Sequence, residues 1–160
     1  MKYCGTPPEH LMFALRQALD LWLAEGLDKV IERHRLLSRA IHAALDCWRQ
    51  GGGLDFNIVK PEQRSAAVTT VLCAGFTPKS LIDFCRDTCG VTLGVGIGGM
   101  GDKAIRIAHM GHVNAPMVLG TLGSIEVALV ALGIAHGRGG IEAAAGSLGR
   151  ALTRRACASG

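Results

Sequence analysis

The chain of 160 residues has few aromatic side chains, which make up 4% of it, and only 19% charged residues. A hydrophobic core would therefore have to consist mainly of Leu, Ile, Val and Ala. The net charge of +4 comes from basic residues scattered along the sequence rather than gathered into a stripe with aromatic residues between them. This composition argues against a nucleic-acid-binding surface.

The six cysteines include no C-x-x-C pair, so the usual short motif of zinc and redox sites is missing. Cys85 and Cys89 stand four residues apart, which on a helix places both side chains on one face. A zinc site there would need further ligands, and the sequence places none close by. The polar N-terminus predicts no signal peptide, so we expect a cytoplasmic protein with reduced thiols.

A long uncharged segment, residues 107–125, approaches the length of a membrane span because it holds no Asp, Glu, Lys or Arg. Two histidines, Asn114 and Pro116 interrupt its first half, and Glu126 follows it within the next apolar run. We therefore interpret its apolar part as a buried helix of a soluble domain and expect no membrane partner.

The hydrophobic periodicity and the turn residues predict short strands that alternate with longer helices. Four short strands with helices on one side of them predict a two-layer α+β domain. The predicted helices span about 7–25, 28–48, 78–89, 116–134 and 141–151, and the predicted strands span about 54–59, 67–73, 91–95 and 104–109.

The first helix is preceded by Thr6, two prolines and Glu9, a pattern typical of a helix start. Thr6 would be the N-cap and Glu9 would complete a capping box with it. The free N–H groups of a helix N-terminus also attract phosphate, and Tyr3 offers a hydroxyl group just upstream. From these residues alone, the simple capping role is the preferred interpretation.

Arg106 lies in the middle of a short apolar strand that follows a glycine-rich loop, residues 94–101. A guanidinium group matches a carboxylate with two parallel hydrogen bonds. The alternative, favoured on spacing alone, is an exposed arginine or one paired with Asp102 or Glu126. The loop is not a dinucleotide-binding fingerprint, because a strand follows it where that motif needs a helix.

His109 and His112 flank a glycine just after this strand. A metal site would need carboxylates or thiols nearby, and the sequence does not place them there. A histidine held by hydrogen bonds in its loop is the simpler expectation.

The order and separation of these motifs resemble a known enzyme family. Y-x-G-T-P-P before an amphipathic helix is followed by a V-T-T strand and then by G-x-G-G-x-G-D-K-x-x-R-I-x-H-M-G-H. The whole is similar to serine/alanine–glyoxylate aminotransferases, which are class V members of the fold-type I pyridoxal-phosphate enzymes. The resemblance covers roughly Tyr3 to Gly133 and implies the C-terminal part of such an enzyme.

The resemblance implies a small domain with a short, mainly antiparallel sheet covered by helices on one side. Residues 1–135 would form this domain with its leading interdomain helix, and residues 136–160 would be a C-terminal extension with one short helix. Arg106 would bind the α-carboxylate of the amino-acid or keto-acid substrate. Tyr3 and Thr6 would reach the phosphate of pyridoxal 5'-phosphate in the other subunit of a homodimer.

The reaction implied by the family is transfer of an amino group from serine or alanine to glyoxylate or pyruvate. The family's Schiff-base lysine lies in a large N-terminal domain, and none of the five lysines of this chain matches it. The chain alone is therefore expected to be inactive, with the missing large domain as its partner. The apolar face of the first helix, with Leu11, Leu15 and Leu19, would then be exposed.

Two other function classes remain open from the residues. The first is a non-catalytic α+β module that binds a small carboxylate through Arg106. The second is a metal-binding or redox protein that uses the cysteines and histidines.

Overall fold

The computed structural model describes residues 5–158, with the side chains of residues 5–153. Helices and strands follow one another in the order that the sequence predicts. In chain order they are α1 (Glu9–Glu25), α2 (Leu27–Trp48), β1 (Leu54–Phe56), β2 (Val68–Cys73), α3 (Pro78–Cys89), β3 (Gly94–Val95), β4 (Ala104–Ala108), α4 (Ala115–Ala131) and α5 (Gly140–Ala158). The chain divides into two compact units between Arg33 and His34. None of the described helices is long and apolar enough to cross a membrane.

The start of α1 corrects the sequence prediction. The helix begins at Glu9 after Pro8, and no side chain caps it, so the predicted N-cap at Thr6 and its capping box with Glu9 are wrong. A residue that precedes proline is pushed towards extended backbone. Thr6 and Pro7 each precede a proline, so both are disfavoured as helical residues, and the helix begins at Glu9 directly after Pro8. Its predicted end at Gly26 is confirmed, since Gly26 has a φ of 90°.

The first unit consists of α1 and the beginning of α2. Arg33 holds Glu25 through two hydrogen bonds, of 2.7 Å and 2.8 Å. No residue of α1 is buried, although the helix is mostly apolar. Leu11, Leu15 and Leu19 are 70%, 60% and 42% exposed, as the sequence predicts for a small domain on its own.

The second unit holds a four-stranded antiparallel sheet with the strand order β1-β2-β4-β3. The α+β prediction with a short antiparallel sheet is thereby confirmed. All four strands are shorter than predicted, β2 and β4 by one residue each and β1 and β3 by three. The backbone N–H of Val91 donates to the Cys85 carbonyl at the end of α3, so the chain joins the sheet only at Gly94. After Phe56 the chain leaves β1 and passes into a 3-10 turn at Pro61–Gln63.

The core of the second unit lies on one face of this sheet. Because side chains alternate along a strand, Val71, Ile105 and Ile107 are buried on this face, while Arg106 lies on the other. Four helices contribute the remaining buried side chains. These include Leu37, Ile41, Leu45 and Trp48 of α2, Leu81 and Ile82 of α3, Leu122, Ile125 and Leu129 of α4, and Ala144 and Leu148 of α5.

The connection between α4 and α5 lies directly against the end of α2. Gly137 donates its N–H to the Trp48 carbonyl at 2.9 Å, and a Cβ atom on Gly140 would overlap with the Trp48 indole ring. The indole Nε1 donates to Glu126 of α4 at 2.9 Å, and the same carboxylate oxygen accepts from the Ile141 backbone at 3.3 Å. Glu126 therefore links three helices. The last helix, α5, also begins earlier and runs longer than predicted.

Candidate functional site

Arg106 occupies the middle of the sheet, where it is the register partner of Thr70 on β2 and Gly94 on β3. Its side chain is half-buried, and its Nε donates to the Val95 carbonyl at 2.7 Å. A Cβ atom at Gly94 would come within 3.2 Å of the Arg106 Cβ, so glycine at this position leaves room for the arginine side chain. The strand and this hydrogen bond together fix the direction of the guanidinium.

The terminal nitrogens of Arg106 make no hydrogen bond or ion pair with any residue that the structure describes. The ion pairs considered from the sequence, with Asp102 or Glu126, are absent within that part of the chain. Glu126 instead accepts hydrogen bonds from Trp48 and Ile141. The guanidinium fork is thus held on one side by a backbone carbonyl and is free on the other side to bind a carboxylate.

The structure does not test Tyr3 and Thr6, the two residues predicted to contact the cofactor phosphate. Tyr3 lies outside the described residues. Thr6 is exposed and stands three residues before α1, in the first unit, whereas Arg106 belongs to the second. The structure thus leaves both as predictions from the resemblance.

A chain of hydrogen bonds on the core side of the sheet joins His42 of α2, Thr69 of β2 and His109. The Thr69 hydroxyl lies 3.0 Å from His109 Nε2 and 3.2 Å from His42 Nε2. His109 Nδ1 lies 3.0 Å from the Ala66 carbonyl, which can only accept, so Nδ1 carries the proton. Thr69 then donates to His109 Nε2 and accepts from His42 Nε2.

This arrangement requires His109 to be neutral, because its Nε2 accepts a hydrogen bond, whereas His42 could donate from Nε2 in either charge state. The pKa values of both rings lie below the ordinary value, which favours the neutral form of each. Burial, with a further contribution from the nearby charge of Arg64, lowers the pKa of His42 to about 4. Burial also lowers the pKa of His109, although the Ala66 carbonyl opposes the shift. The expectation of a hydrogen-bonded loop histidine is confirmed for His109, which is fully buried. His112 is exposed.

The described lysines line neither of two cavities of the second unit. These four lysines, Lys29, Lys60, Lys79 and Lys103, are all exposed, and Lys79 forms an ion pair with an aspartate of its own helix. Two cavities of the second unit have volumes of about 640 Å³ and about 100 Å³, and neither is lined by a lysine or by Arg106. Within the same part of the chain, no three His, Cys, Asp or Glu side chains lie close enough to hold a metal ion.

Comparisons with known proteins identify relatives of the chain. No protein-family model matches it. It is 31% identical over 133 residues to an L-aspartate–glyoxylate aminotransferase of Paracoccus denitrificans, covering 82% of this chain and 33% of that protein. It is 34% identical over 129 residues to a serine–glyoxylate aminotransferase of Arabidopsis thaliana, covering 80% of this chain and 31% of that protein.

The comparison of structures also finds an aminotransferase. The crystal structure of a pyridoxamine–pyruvate aminotransferase from Mesorhizobium loti superimposes with a TM-score of 0.84 at 30% identity, covering 94% of this chain and 38% of that one. The chain spans about a third of the length of the curated relatives that it matches. Both comparisons agree with the resemblance inferred from the motifs, which is confirmed.

Proposed function

We propose that the chain serves in amino transfer between a small amino acid and a small keto acid, as the C-terminal part of an enzyme of the serine/alanine–glyoxylate aminotransferase type; its similarity to glyoxylate and pyruvate aminotransferases supports this. The amino donor of this proposal is serine or alanine, and the acceptor is glyoxylate or pyruvate. In the complete enzyme the chemistry comes from pyridoxal 5'-phosphate, which accepts the amino group from one substrate and passes it to the other.

The observation that carries this proposal is the state of Arg106. It is a half-buried arginine, fixed by its strand and by the Val95 carbonyl, with no carboxylate partner among the described residues. Burying a cation without a counter-ion costs free energy, so such an arginine is expected to gain from an incoming anion. A substrate carboxylate supplies that anion and the matching planar geometry.

The role of this chain is to bind and orient the substrate rather than to hold the cofactor by itself. Its described lysines lie on the surface and line neither of the two cavities of the second unit. The missing two thirds of the relatives' length would supply the lysine as a separate large domain. In a homodimer, Thr6 and Tyr3 would contact the cofactor phosphate of the other subunit.

Reconstitution tests this function. The purified chain is mixed with the separately produced N-terminal part of the Paracoccus denitrificans relative and pyridoxal phosphate, and amino transfer from serine or alanine to glyoxylate or pyruvate is measured. We expect activity only in the mixture. Replacing Arg106 with Gln should lower kcat/KM about 10- to 100-fold, since hydrogen bonds between charged groups contribute about 1.5–3 kcal/mol.

Arg106→Lys is the matched control, because it keeps the charge and loses the planar fork. It should recover part of the activity. The chain alone is also scanned from 300 to 450 nm with pyridoxal phosphate, before and after borohydride. A reducible imine on one specific lysine of this chain would contradict the proposed division of roles.

The second candidate is a non-catalytic carboxylate-binding module, which the free guanidinium of Arg106 also favours. It predicts that pyruvate shifts the Arg106 Nε–H signal in NMR spectra of the chain alone, without cofactor absorbance. Failure of every reconstituted mixture, together with this binding, would favour the module over the aminotransferase.

A further inference from the structure

Two thiols meet at one point between α3 and α4. Cys85 and Cys89 lie one helical turn apart on α3, and their sulfur atoms lie 3.8 Å and 3.9 Å from the same carbonyl oxygen, that of Ser124 on α4. A carbonyl oxygen has two lone pairs and can accept from both S–H groups. The sequence predicts only a shared helix face, and the structure shows that both sulfurs converge on one acceptor.

The two thiols differ in their access to solvent. Cys85 is fully buried, whereas Cys89 is half-buried and is therefore the thiol that solvent can reach. Burial, together with the neighbouring Cys89, raises the pKa of Cys85 to about 11, so this thiol keeps its proton at neutral pH. A reagent would therefore bond to Cys89 first and reach Cys85 from there.

The spacing decides which chemistry can join the two sulfurs. A disulfide needs Cβ atoms about 3.5–4.5 Å apart. Residues four apart on a helix have Cβ atoms about 5–6 Å apart, so a direct S–S bond would distort α3. One atom inserted between the sulfurs, bonded to each, spans the longer distance and leaves the helix intact.

We propose that Cys85 and Cys89 form a two-thiol site for a thiophilic centre, and that trivalent arsenic is the chemical class that fits it. Zinc would need about four ligands, and the described residues offer no third His, Cys, Asp or Glu at this point. Soft thiolates favour soft centres over hard oxygen-binding cations. Trivalent arsenic that carries one organic group completes its valence with two sulfurs, the number present here.

Phenylarsine oxide is the probe. In the reaction both S–H bonds and the arsenic–oxygen bond break, two arsenic–sulfur bonds form and one water molecule leaves. Arsenic stays trivalent and no oxidant is needed. A chelate of two thiols resists exchange with a single thiol, because both bonds must break before the arsenic is released, whereas an external dithiol can replace both sulfurs.

The test uses the reduced chain of 160 residues and intact-mass spectrometry. We expect one phenylarsenic group per chain, mapped to the peptide with Cys85 and Cys89, retained in excess glutathione and removed by dithiothreitol. Cys89→Ser and Cys85→Ser should each lose the glutathione-resistant label. Should Cys85→Ser fail to fold, as judged by circular dichroism, Cys89→Ser carries the test, since its side chain is only half-buried.

A matched control replaces the four other cysteines, Cys4, Cys47, Cys73 and Cys157, with serine. It should keep the label in full. The proposal is overturned if the wild-type chain takes up no glutathione-resistant label, or if Cys89→Ser retains it. It is also overturned if the label maps to other cysteines.

Discussion

At the scale of single residues, polar side chains inside the second unit have defined partners. Among the described residues, no buried side-chain nitrogen or oxygen lacks a hydrogen bond. Thr69 joins two neutral histidines, and Glu126 receives the Trp48 indole N–H. Half-buried Arg106 differs from them, because its terminal nitrogens have no partner among the described residues.

The His42–Thr69–His109 network predicts a dependence of stability on pH. In the unfolded chain His42 binds a proton near pH 6.5, but in the folded chain its pKa is about 4. The unfolded state therefore binds more protons between these values, and the free energy of unfolding should fall as the pH is lowered from about 6.5 towards 4. The loss attributable to His42 is on the order of 1–3 kcal/mol, measured by urea denaturation at several pH values.

His42→Gln provides the comparison. It removes this titration, so its stability should change less than that of the wild type between pH 7 and pH 5, even if it is less stable at pH 7. NMR titration of the His42 ring gives an independent reading. An ordinary pKa near 6.5 would show that the imidazole is not held neutral.

At the scale of elements, two sets of glycines have opposite roles. Gly26 and Gly90 end helices with positive φ values of 90° and 70°, which glycine adopts without strain. Gly140 instead makes room, because the backbone at the start of α5 passes directly over the Trp48 ring. The position of α5 therefore requires glycine at residue 140, because any larger residue would overlap with Trp48.

Gly140→Ala should therefore destabilise the fold. Its methyl group would overlap with an indole ring that is 1% exposed, and forcing extra volume into a packed interior costs about 1–3 kcal/mol. Thermal unfolding followed by circular dichroism measures the effect as a lower Tm.

Gly149→Ala is the matched control on the same helix. A Cβ atom there meets no atom within 4 Å, and alanine favours helix over glycine by up to about 1 kcal/mol. This variant should be as stable as the wild type or more stable. Equal losses in both variants would show that the effect reflects α5 in general and not the contact with Trp48.

At the scale of the whole molecule, the chain matches only part of its relatives and leaves one helix without buried residues. It spans about a third of its curated relatives, and its 17-residue helix α1 has no buried residue. Eight large apolar side chains of α1 are exposed, among them Phe13 at 74% and Leu23 at 79%. Apolar surface of this kind normally marks an interface.

We expect the purified chain to self-associate through α1 as its concentration rises. Replacing Leu11, Leu15 and Leu19 with Gln should make it monomeric in sedimentation velocity, with little change in Tm, because these side chains are exposed in the folded chain. Arg16→Ala is the control, since the Arg16–Asp20 ion pair lies on the surface of the same helix and should not affect association. A wild-type chain that stays monomeric at high concentration would refute this expectation.

The sequence by itself determined the order of the elements, the helix ends at glycine and the family resemblance. These depend on short-range features, namely periodicity, turn residues and local motifs, which are complete within a few neighbouring positions. Where two local rules conflict, as capping and proline geometry do at Thr6, reading one of them alone led to a wrong helix start.

Only the tertiary structure decided which distant residues meet. The sheet register brings Arg106 beside Thr70 and Gly94, and the packing of α2 brings His42 to Thr69. The packing of α4 on α3 likewise gives Cys85 and Cys89 a common acceptor in Ser124, 35 or more residues away. Such contacts follow from how the strands and helices pack over one core, and no local pattern in the sequence carries that information.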